Sequence, residues 1–359
     1  MTKKVLCLFP FTQSDLHPRN LKSLESIDGI SPIRWDSRSF GIPWANKLSD
    51  HTKIFFLTNY LRITRRIRPI TQFEFRCRSE LVMLACRFYK PDIVFTTGRD
   101  AWMDGDLLKR MRQMGIVTMH LALDNYAHFE DFTVKMAPLY DYFFHFDSRP
   151  IEDLKQMGLK NVYHSPQGCY EYFSSKDIMV TEKNRKRFTC EVGFAGTLHP
   201  EREELLSHLT DFNLKIFGGS TWSKTKVRKF YQNSYLKNNS ELLQFYSVAD
   251  IIVNPHDITT GNGINYRFWE VACAGGFQLT TPQNEILENF EVGCDKDIDV
   301  YYDMTDLKQK IKFYLEHEDI RRRMSKRLTA KVLKNHGQMK YFNKMFEIVL
   351  NNNIVNNLK

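Results

Sequence analysis

The sequence predicts an α/β protein made of two doubly wound, Rossmann-like domains. Short apolar segments alternate with helical segments up to residue 170, and the alternation resumes near residue 190 after a polar, charged stretch. Strands separated by helices pair in parallel, because the right-handed crossover returns each strand to the same sheet. We therefore predict domains over 1–170 and 191–335, a linker over 171–190, and a C-terminal helix over 336–359 that crosses back to the first domain and ends in a frayed tail.

The first domain opens with "KVLCLFPF", an apolar run typical of a buried strand. Residues 11–50 are rich in turn signals and are predicted to be irregular, whereas 53–90 are predicted to be helical, with Pro91 ending the helix. The strands that follow are predicted from "DIVFTTG", "IVTMHLALD", "YDYFFHFD" and "NVYHSPQG", and the helices from "DLLKRMRQMG" and "PIEDLKQMGL".

The second domain repeats this order. Its strands are predicted from "CEVGFAG", "LKIFGG", "DIIVNP", "FQLTT" and "DVYYD", and its first helices from "PEREELLSHLTDF" and "SELLQFYSVA". The segment "TTGNGINYRFWEVACAGG" predicts a glycine loop followed by a short helix. Because ligands of such folds bind beyond the carboxyl ends of the strands, we expect the site in a cleft between the two domains.

Net charge, cysteine pattern and the length of the apolar segments limit which partners and which cellular compartment the sequence predicts. The chain has 359 residues and a net charge of +9, which favours anionic partners, although the basic cluster at 61–78 is also explained by a solvated helix face. Seven cysteines without a C-x-x-C pattern argue against a disulfide framework and against a zinc site. Without a membrane-spanning apolar run or a signal peptide, the expectation is a cytoplasmic protein, peripheral at the inner membrane face if it meets a membrane.

The sequence lacks two common nucleotide-binding motifs and contains a pattern that can bind a metal ion. Neither G-x-G-x-x-G nor a P-loop is present, which argues against hydride transfer and against P-loop chemistry. D-x-D patterns, which can bind a divalent ion with a sugar diphosphate, occur at 104–106 and within 295–299. The first opens a predicted helix, where aspartate is favoured as a cap, and the second lies in a polar loop, so no metal is expected at either.

The segment "VGFAGTLHPER" predicts a phosphate-binding turn. A strand leads through a turn bounded by Gly193 and Gly196 into a helix, whose first N–H groups and positive dipole end suit a phosphate. Arg202 lies in the first helical turn, where it can contact a diphosphate through two hydrogen bonds. An ordinary strand-to-helix turn with an exposed arginine is the simpler alternative.

The loop "TGNGI" predicts a second such helix start, with Asn265 and Arg267 near it and Glu270 further along. An ionised carboxylate accepts two hydroxyl hydrogen bonds, which suits the vicinal hydroxyls of a ribose. The alternative is that Glu270 pairs on the helix surface with Arg267, three positions earlier. A carboxylate, an arginine and two glycine loops together predict a nucleotide-sugar pocket.

These segments resemble the group 1 glycosyltransferases of the GT-B fold, and most of all their spore-maturation (CgeB-like) branch. The matching pieces of the C-terminal half, in the family's order, are "VGFAGTLHPEREELL", "LKIFGG", "FYSVADIIVNP", "GINYRFWEVACAGGFQLTT" and "DMTDLKQKIKFYLEHEDIRRRMSKR". "PDIVFTTG", "GIVTMHLALDN" and "YDYFFHFDSRPIEDLKQMGLKNVYHSPQG" resemble its N-terminal half. The resemblance implies two domains facing across a cleft, and retaining transfer of a sugar from a nucleotide sugar to a hydroxyl of an envelope glycan, a lipid-linked saccharide or a protein, without metal or cofactor.

The resemblance also implies roles for single positions. Glu270 matches the glutamate that contacts the ribose, whereas Asn262 stands where the family has a glutamate that holds the donor sugar. Arg202 matches one basic residue near the phosphates, Thr197 stands where an arginine is often found, and Arg267 is a candidate for the missing charge. The predicted nucleotide-sugar-binding residues are Gly196, Thr197, Arg202, Asn262, Gly263, Ile264, Asn265, Arg267 and Glu270.

In the first domain, the resemblance points to the segment "VTMHLALDN". His120 matches a histidine that faces the donor sugar at the end of a central strand, and a buried structural histidine is the alternative. Asp124 and Asn125 follow, and Asp124 is a candidate contact for the acceptor hydroxyl. His120 and Asp124 are therefore the predicted catalytic residues.

Two other functions stay open. The fold also hosts DNA-modifying glycosyltransferases, and a basic chain suits nucleic acid, although no aromatic-plus-basic recognition motif stands out. The departures at Asn262 and Thr197 leave a non-catalytic nucleotide-sugar-binding protein as the second alternative.

Overall fold

The protein divides into two compact units. In the computed structural model, the described residues are 2–9, 16–36, 70–98, 103–123, 126–171, 178–234, 236, 239–257 and 260–356. The first unit comprises Met1–Pro166 with Phe342–Lys359, and the second comprises Gln167–Tyr341. The chain therefore leaves the first unit once and returns to it at its C-terminal segment.

Parallel strands form the sheet of the first unit. Within the described residues they are β1 (Lys3–Phe9), β2 (Ile30–Asp36), β3 (Ile93–Thr97), β4 (Val117–Ala122), β5 (Tyr142–His145) and β6 (Val162–His164), in the order β2-β1-β3-β4-β5-β6. The helices are α1 (Leu16–Glu25), α2 (Ile70–Tyr89), α3 (Gly105–Gln113) and α4 (Ser148–Gln156), and shorter helical turns occupy 126–139. The register places His120 of β4 beside Phe143 of β5.

The strands of this sheet are apolar on both faces, because helices cover both. Leu6 and Leu8 of β1 pack with Leu107 of α3 in one core. The alternate positions of the same strand, represented by Cys7, pack in a second core on the other face. An uninterrupted apolar run therefore indicates a strand buried on both sides, which confirms the prediction for "KVLCLFPF".

The segment predicted to be irregular contains regular structure. α1 and β2 both lie within 11–50, and β2 pairs in parallel with β1 along its length. Pro32 indicates a turn in the sequence, which is why β2 was not predicted. The sheet tolerates this proline, which lacks an N–H group, because β2 is at the edge of the sheet formed by the described strands. The predicted helix over 53–90 is observed as α2 from Ile70, and residues 53–69 lie outside the described residues.

The second unit has its own parallel sheet. Its described strands are β7 (Val192–Ala195), β8 (Leu214–Phe217), β9 (Ile251–Asn254), β10 (Gln278–Thr280) and β11 (Asp299–Val300), in the order β11-β10-β9-β7-β8. Its helices are α5 (Glu182–Phe188), α6 (Pro200–Ser207), α7 (Asn239–Val248), α8 (Tyr266–Cys273), α9 (Asn284–Asn289), α10 (Met304–Glu316) and α11 (Glu318–Asn335), with short 3-10 helices at Ser220–Lys224 and Arg228–Phe230. As in the first unit, alternate strand residues enter different cores: Val253 packs with Ile311, and Ile252 packs with Phe245.

The predicted linker is in part a helix of the second unit. α5 begins after Thr181, whose side chain accepts a hydrogen bond from the Asn184 N–H. Arg187 forms an ion pair with Glu241 of α7 at 2.8 Å, and the Asn184 amide donates to Gln244 at 2.7 Å. These contacts tie the described residues 178–190 to the second unit, so a linker over 171–190 is too long.

The last helix, α12 (Gln338–Asn356), enters the first unit at Phe342. Phe342 and Phe346 meet the ring of Phe95 edge-on, with ring centroids 6.3 and 6.0 Å away. The helix extends through Asn356, so residues 351–356 are helical and the prediction of a frayed tail is wrong for them.

Cys169 and Cys273 form a disulfide bond, a single cross-link that the scattered cysteines did not predict. Cys273 is the last residue of α8, and the backbone of Cys169 pairs with Gly337. The bond therefore ties the end of α8 to the segment where the second unit begins. None of the described helices has the length and apolar character that crossing a lipid bilayer requires.

Candidate functional site

A group of polar side chains gathers at the carboxyl ends of three neighbouring strands of the second unit. Gly196 follows β7, His256 lies just after β9, and Thr281 follows β10. These strands are adjacent in the sheet, in the order β10-β9-β7. The residues after parallel strands meet at one edge of a sheet, which is where ligands of such folds bind.

Arg267 lies at the centre of this group. Its Nε donates to the carbonyl oxygen of Ala195 at 3.0 Å, and its Nη1 donates to Oδ1 of Asn254 at 3.1 Å. The guanidinium also lies over the ring of Phe194, with its carbon 4.6 Å from the ring centroid. Three different contacts therefore fix the position and the plane of this cation.

Buried amides hold these contacts in place. Asn254 is fully buried, and its Nδ2 donates to Oε1 of Gln278 at 2.9 Å. Gln278 in turn donates to the carbonyl oxygen of Phe268 at 3.0 Å. The Asn254 Oδ1 accepts from Asn265 at 2.9 Å as well as from Arg267. A buried network in which each amide has partners is rigid, so Arg267 is preorganised before any ligand arrives.

Gly196 is required for the approach of Arg267. A Cβ atom at this position would lie 2.5 Å from the Arg267 Nη2, which is closer than side-chain atoms tolerate. The carbonyl oxygen of Gly196 accepts a hydrogen bond from Nε1 of the buried Trp222 at 2.9 Å, which fixes the turn. The glycine predicted to serve phosphate binding therefore also makes room for an arginine.

Arg202 is the second cation of the group. Its Nη1 donates to the carbonyl oxygen of Thr197 at 3.0 Å. Burial, and then the positive charge of Arg267, lower the pKa of Arg202 to about 10, whereas Asp257 and Glu201 act in the opposite direction. Two neighbouring guanidinium groups repel each other, and a bound anion relieves this repulsion.

His256 is a buried neutral histidine beside both arginines. Burial, followed by the charges of Arg267 and Arg202, lowers its pKa to about 3. Its Nε2 accepts the backbone N–H of Asn265 at 3.1 Å, so the proton of the neutral ring is on Nδ1, which lies 3.2 Å from Oγ1 of Thr281. His256 was not predicted as a site residue. Its position directly after the predicted strand "DIIVNP" was the one indication that it lies at the carboxyl edge of the sheet.

Tyr301 was also missed. It follows β11, and its hydroxyl is buried without a hydrogen-bond partner among the described residues. Burial raises its pKa, and the charge of Arg267 acts against that rise. The hydroxyl is therefore an unused donor near Arg267, and no motif in the local sequence indicates it.

The loop before α8 is held mainly by its own contacts. Asn265 caps the helix, since its Oδ1 accepts the N–H of Phe268 at 2.9 Å. The Oδ1 of Asn262 accepts from Asn284 at 2.8 Å. Gly263 and Ile264 are buried, and Ile264 packs in a hydrophobic core. These contacts give Asn262, Ile264 and Asn265 a structural role in the loop.

Glu270 is half-buried on α8, one turn after Arg267. The alternative of an ion pair between these two residues does not hold, because the guanidinium of Arg267 contacts Ala195 and Asn254 and forms no ion pair with Glu270. The helix therefore carries a cation near its start and a separate carboxylate further along.

In the first unit, His120 lies in β4 and is buried. Its Nδ1 is 2.7 Å from Oγ1 of Thr96, and its ring stacks on Phe143 with centroids 5.1 Å apart. Burial, and secondarily the charge of His145, lowers its pKa to about 3. Its Nε2 has no partner among the described residues, and the ring lines a small cavity together with Tyr140. Asp124 and Asn125 lie outside the described residues.

The D-x-D carboxylates have other partners. Asp104 caps α3 by accepting the N–H of Leu107 at 2.9 Å, which confirms its predicted role as a cap. Asp295, Asp297 and Asp299 form ion pairs with Arg323, Lys331 and Lys310 respectively.

Comparisons with known proteins identify the fold. Residues 201–346 match the family model described as glycosyl transferase-like. A search by sequence among curated proteins returns no significant match. Solved structures match over nearly the whole chain. Sucrose-phosphate synthase from Thermosynechococcus elongatus has a TM-score of 0.64 and 11% identity, covering 98% of this chain and 100% of its own.

HepE of Anabaena in complex with UDP-glucose has a TM-score of 0.62 and 11% identity, with coverage of 98% and 100%. UDP-GlcNAc 2-epimerase from Neisseria meningitidis, bound to UDP-GlcNAc, has a TM-score of 0.57 and 12% identity, with coverage of 97% and 100%. The fold is that of a GT-B glycosyltransferase. The family match adds that residues 201–346 are similar to the glycosyl transferase-like family.

Proposed function

We propose that this protein transfers a sugar from a nucleoside-diphosphate sugar to an acceptor hydroxyl, and that the diphosphate binds beside Arg202 and Arg267. One observation carries the proposal. The two guanidinium groups are close enough for Arg267 to lower the pKa of Arg202, and neither forms an ion pair with a carboxylate of the described residues. Two neighbouring, partly buried cations that repel each other are suited to an anion with two negative phosphates.

The elements around the arginines support the same ligand. α6 begins at Pro200 and α8 at Tyr266, and both helices start at the carboxyl edge of the sheet. The free N–H groups and positive dipole ends of such helices favour phosphate. Glu270 lies further along α8, and we propose that its carboxylate binds the ribose hydroxyls.

The proposed chemistry uses electrostatic stabilisation. As the bond between the sugar and the diphosphate breaks, negative charge develops on the departing phosphate, and preorganised cations lower the energy of that state. Arg267 is preorganised by Ala195 and Asn254. Since two arginines supply positive charge here, we propose a metal-independent reaction, and we propose retention of configuration from the resemblance to group 1 enzymes.

The first unit contributes the acceptor side of the proposal. His120 is neutral and has an unpartnered Nε2, which suits a hydrogen bond to a sugar hydroxyl. We retain Asp124 as the proposed contact for the acceptor hydroxyl. The proposed acceptors are an envelope glycan, a lipid-linked saccharide or a protein, as expected for the spore-maturation branch, in a cytoplasmic protein with peripheral contact to an anionic membrane.

The first prediction concerns nucleotide binding. Thermal unfolding is measured with UDP-, GDP- and dTDP-sugars, because a ligand that binds only the folded protein raises the melting temperature. One donor class is expected to raise it by about 5–10 °C at concentrations near 100 Kd. The variant Arg267→Ala is expected to bind that donor about tenfold or more weakly, since it loses charge-assisted hydrogen bonds to the diphosphate.

Arg322→Ala is the matched control, because Arg322 is an exposed arginine of the same unit that pairs with Glu318. It is expected to keep the full ligand shift. If no nucleotide sugar shifts the wild-type protein, or if Arg267→Ala shifts as much as the wild type, the proposed site is wrong.

The structure also bears on the non-catalytic alternative. Asn262 is a neutral amide held by Asn284, so this position supplies no carboxylate. A protein that binds the donor but neither transfers its sugar nor slowly hydrolyses it would fit that alternative. Detection of released nucleoside diphosphate in the presence of the identified donor decides between the two functions.

A further inference from the structure

We infer that Asp257 binds the sugar of the donor and makes this protein prefer an intact nucleotide sugar to the free nucleoside diphosphate. The inference rests on the proposed function and assigns a specificity-determining residue to the same site. Asp257 was not among the residues selected from the sequence.

The position of Asp257 is fixed by the loop after β9. It follows His256, and its carbonyl oxygen accepts the N–H of Thr260 at 2.8 Å. Its side chain is only 19% exposed. The carboxylate therefore has a defined place at the carboxyl edge of the sheet, next to the histidine that contacts the start of α8.

Asp257 lies on the Arg202 side of the site. Its negative charge raises the pKa of Arg202, and its Oδ2 is 3.9 Å from Nδ1 of His199, the residue before α6. Glu201 acts on Arg202 in the same direction but is exposed on the first turn of α6. Glu270, the proposed ribose ligand, lies on α8. A diphosphate held by the arginines would therefore lie near the Asp257 carboxylate.

A carboxylate beside the phosphates discriminates between the two ligands for two reasons. A free diphosphate carries about one more negative charge near neutral pH than its sugar ester, because its terminal phosphate titrates near pH 6. Asp257 repels that extra charge. A sugar in the same place offers hydroxyl donors, and an ionised carboxylate accepts two of them. His199 adds a second polar group at this place, because its Nδ1 lies 3.9 Å from Oδ2 of Asp257.

The test compares ligand pairs by isothermal titration calorimetry on the full chain. The pairs are UDP with UDP-glucose, GDP with GDP-mannose, and dTDP with dTDP-glucose. The wild type is expected to bind the nucleotide sugar of one pair more tightly than its diphosphate. Asp257→Asn is expected to weaken the nucleotide sugar about tenfold, through loss of charge-assisted hydrogen bonds, and to leave the diphosphate unchanged or tighter.

Glu201→Gln is the matched control, because it removes the other negative charge that acts on Arg202. It is expected to leave the ratio of the two affinities unchanged. Asp257→Glu keeps the charge but moves the carboxylate by one methylene, and it is expected to lower the ratio even if Asp257→Asn does not fold.

The outcomes separate the inference from the proposed function. If Asp257→Asn and Asp257→Glu both keep the wild-type ratio, or if the wild type binds both members of the pair equally, the inference is overturned while the donor site stands. If the wild type binds no member of any pair, the proposed function fails and the inference fails with it.

Discussion

At the scale of single residues, the environment decides which charges the site can use. Arg267 stays in place because Asn254 and the Ala195 carbonyl direct it, and Gly196 leaves it room. His256 stays neutral because it is buried next to two cations. The result is a pair of neighbouring, partly buried cations that an entering anion stabilises, whereas an exposed arginine pair would be screened by water and salt.

His256 makes stability depend on pH. Burial lowers its pKa from 6.5 to about 3, so between these values the unfolded chain binds more protons than the folded one. The free energy of unfolding therefore falls as the pH drops below 6.5, by at most about 1.4 kcal/mol per pH unit for this group. Urea unfolding at pH 4.5–6.5 is expected to show a smaller slope against pH in His256→Gln than in the wild type.

The control for this prediction is His208→Gln. His208 lies on the surface of the same unit, where it contacts Glu204 at 3.2 Å, and its replacement is expected to change the slope much less than that of the buried His256. An unchanged slope in His256→Gln would mean that the folded protein already protonates this histidine.

At the scale of elements, the start of α8 joins helix stability to ligand binding. Oδ1 of Asn265 accepts a hydrogen bond from the N–H of Phe268, and Nδ2 of Asn265 donates one to Asn254. Asn254 also accepts a hydrogen bond from Arg267. The same side chain therefore caps the helix and takes part in the network that orients the proposed phosphate-binding arginine.

Asn265→Ala is expected to lower the free energy of unfolding by about 1–2 kcal/mol, through loss of the cap. It is also expected to weaken donor binding, because Asn254 loses a partner that holds it for Arg267. Urea unfolding and calorimetric titration with the identified nucleotide sugar measure the two effects.

Asp303→Ala separates the two effects. Asp303 caps α10 by accepting the N–H of Asp306 at 2.9 Å, and it lies outside the site. Its loss is expected to cost about 1 kcal/mol of stability and no affinity. Equal affinities for Asn265→Ala and Asp303→Ala would show that the Asn254 network does not need Asn265.

At the scale of the whole molecule, the first unit is built from two separate parts of the chain. α12 returns to it and adds Phe342, Met345, Phe346 and Val349 to the core that also contains Phe95. A segment remote in sequence thus completes one face of the first sheet, which would otherwise expose apolar strand residues.

Phe346→Ala is expected to destabilise the first unit by about 3–4 kcal/mol, because it leaves a cavity beside Phe95. Urea unfolding followed by circular dichroism measures the loss. Phe88→Ala is the control, since Phe88 is 70% exposed in the same unit and is expected to cost much less. Comparable losses in both variants would contradict the role of α12 in this core.

The sequence by itself determined the strand and helix order wherever the local pattern was unambiguous. Runs such as "KVLCLFPF" and "DIIVNP" are strands because both sheet faces are buried, and the helix carrying Arg267 and Glu270 begins after a glycine loop as predicted. It missed β2 because Pro32 indicates a turn locally, and only the pairing with β1 makes an edge strand possible there.

Only the tertiary structure decided which side chains face the site. Asn265, predicted as a ligand residue, also caps α8. The sequence missed the neighbours His256 and Asp257 after β9 and Tyr301 after β11, because neither segment carries a motif. Parallel pairing brings the residues after β7, β9 and β10 to one edge of a sheet, and the sequence separation between them gives no indication of that proximity.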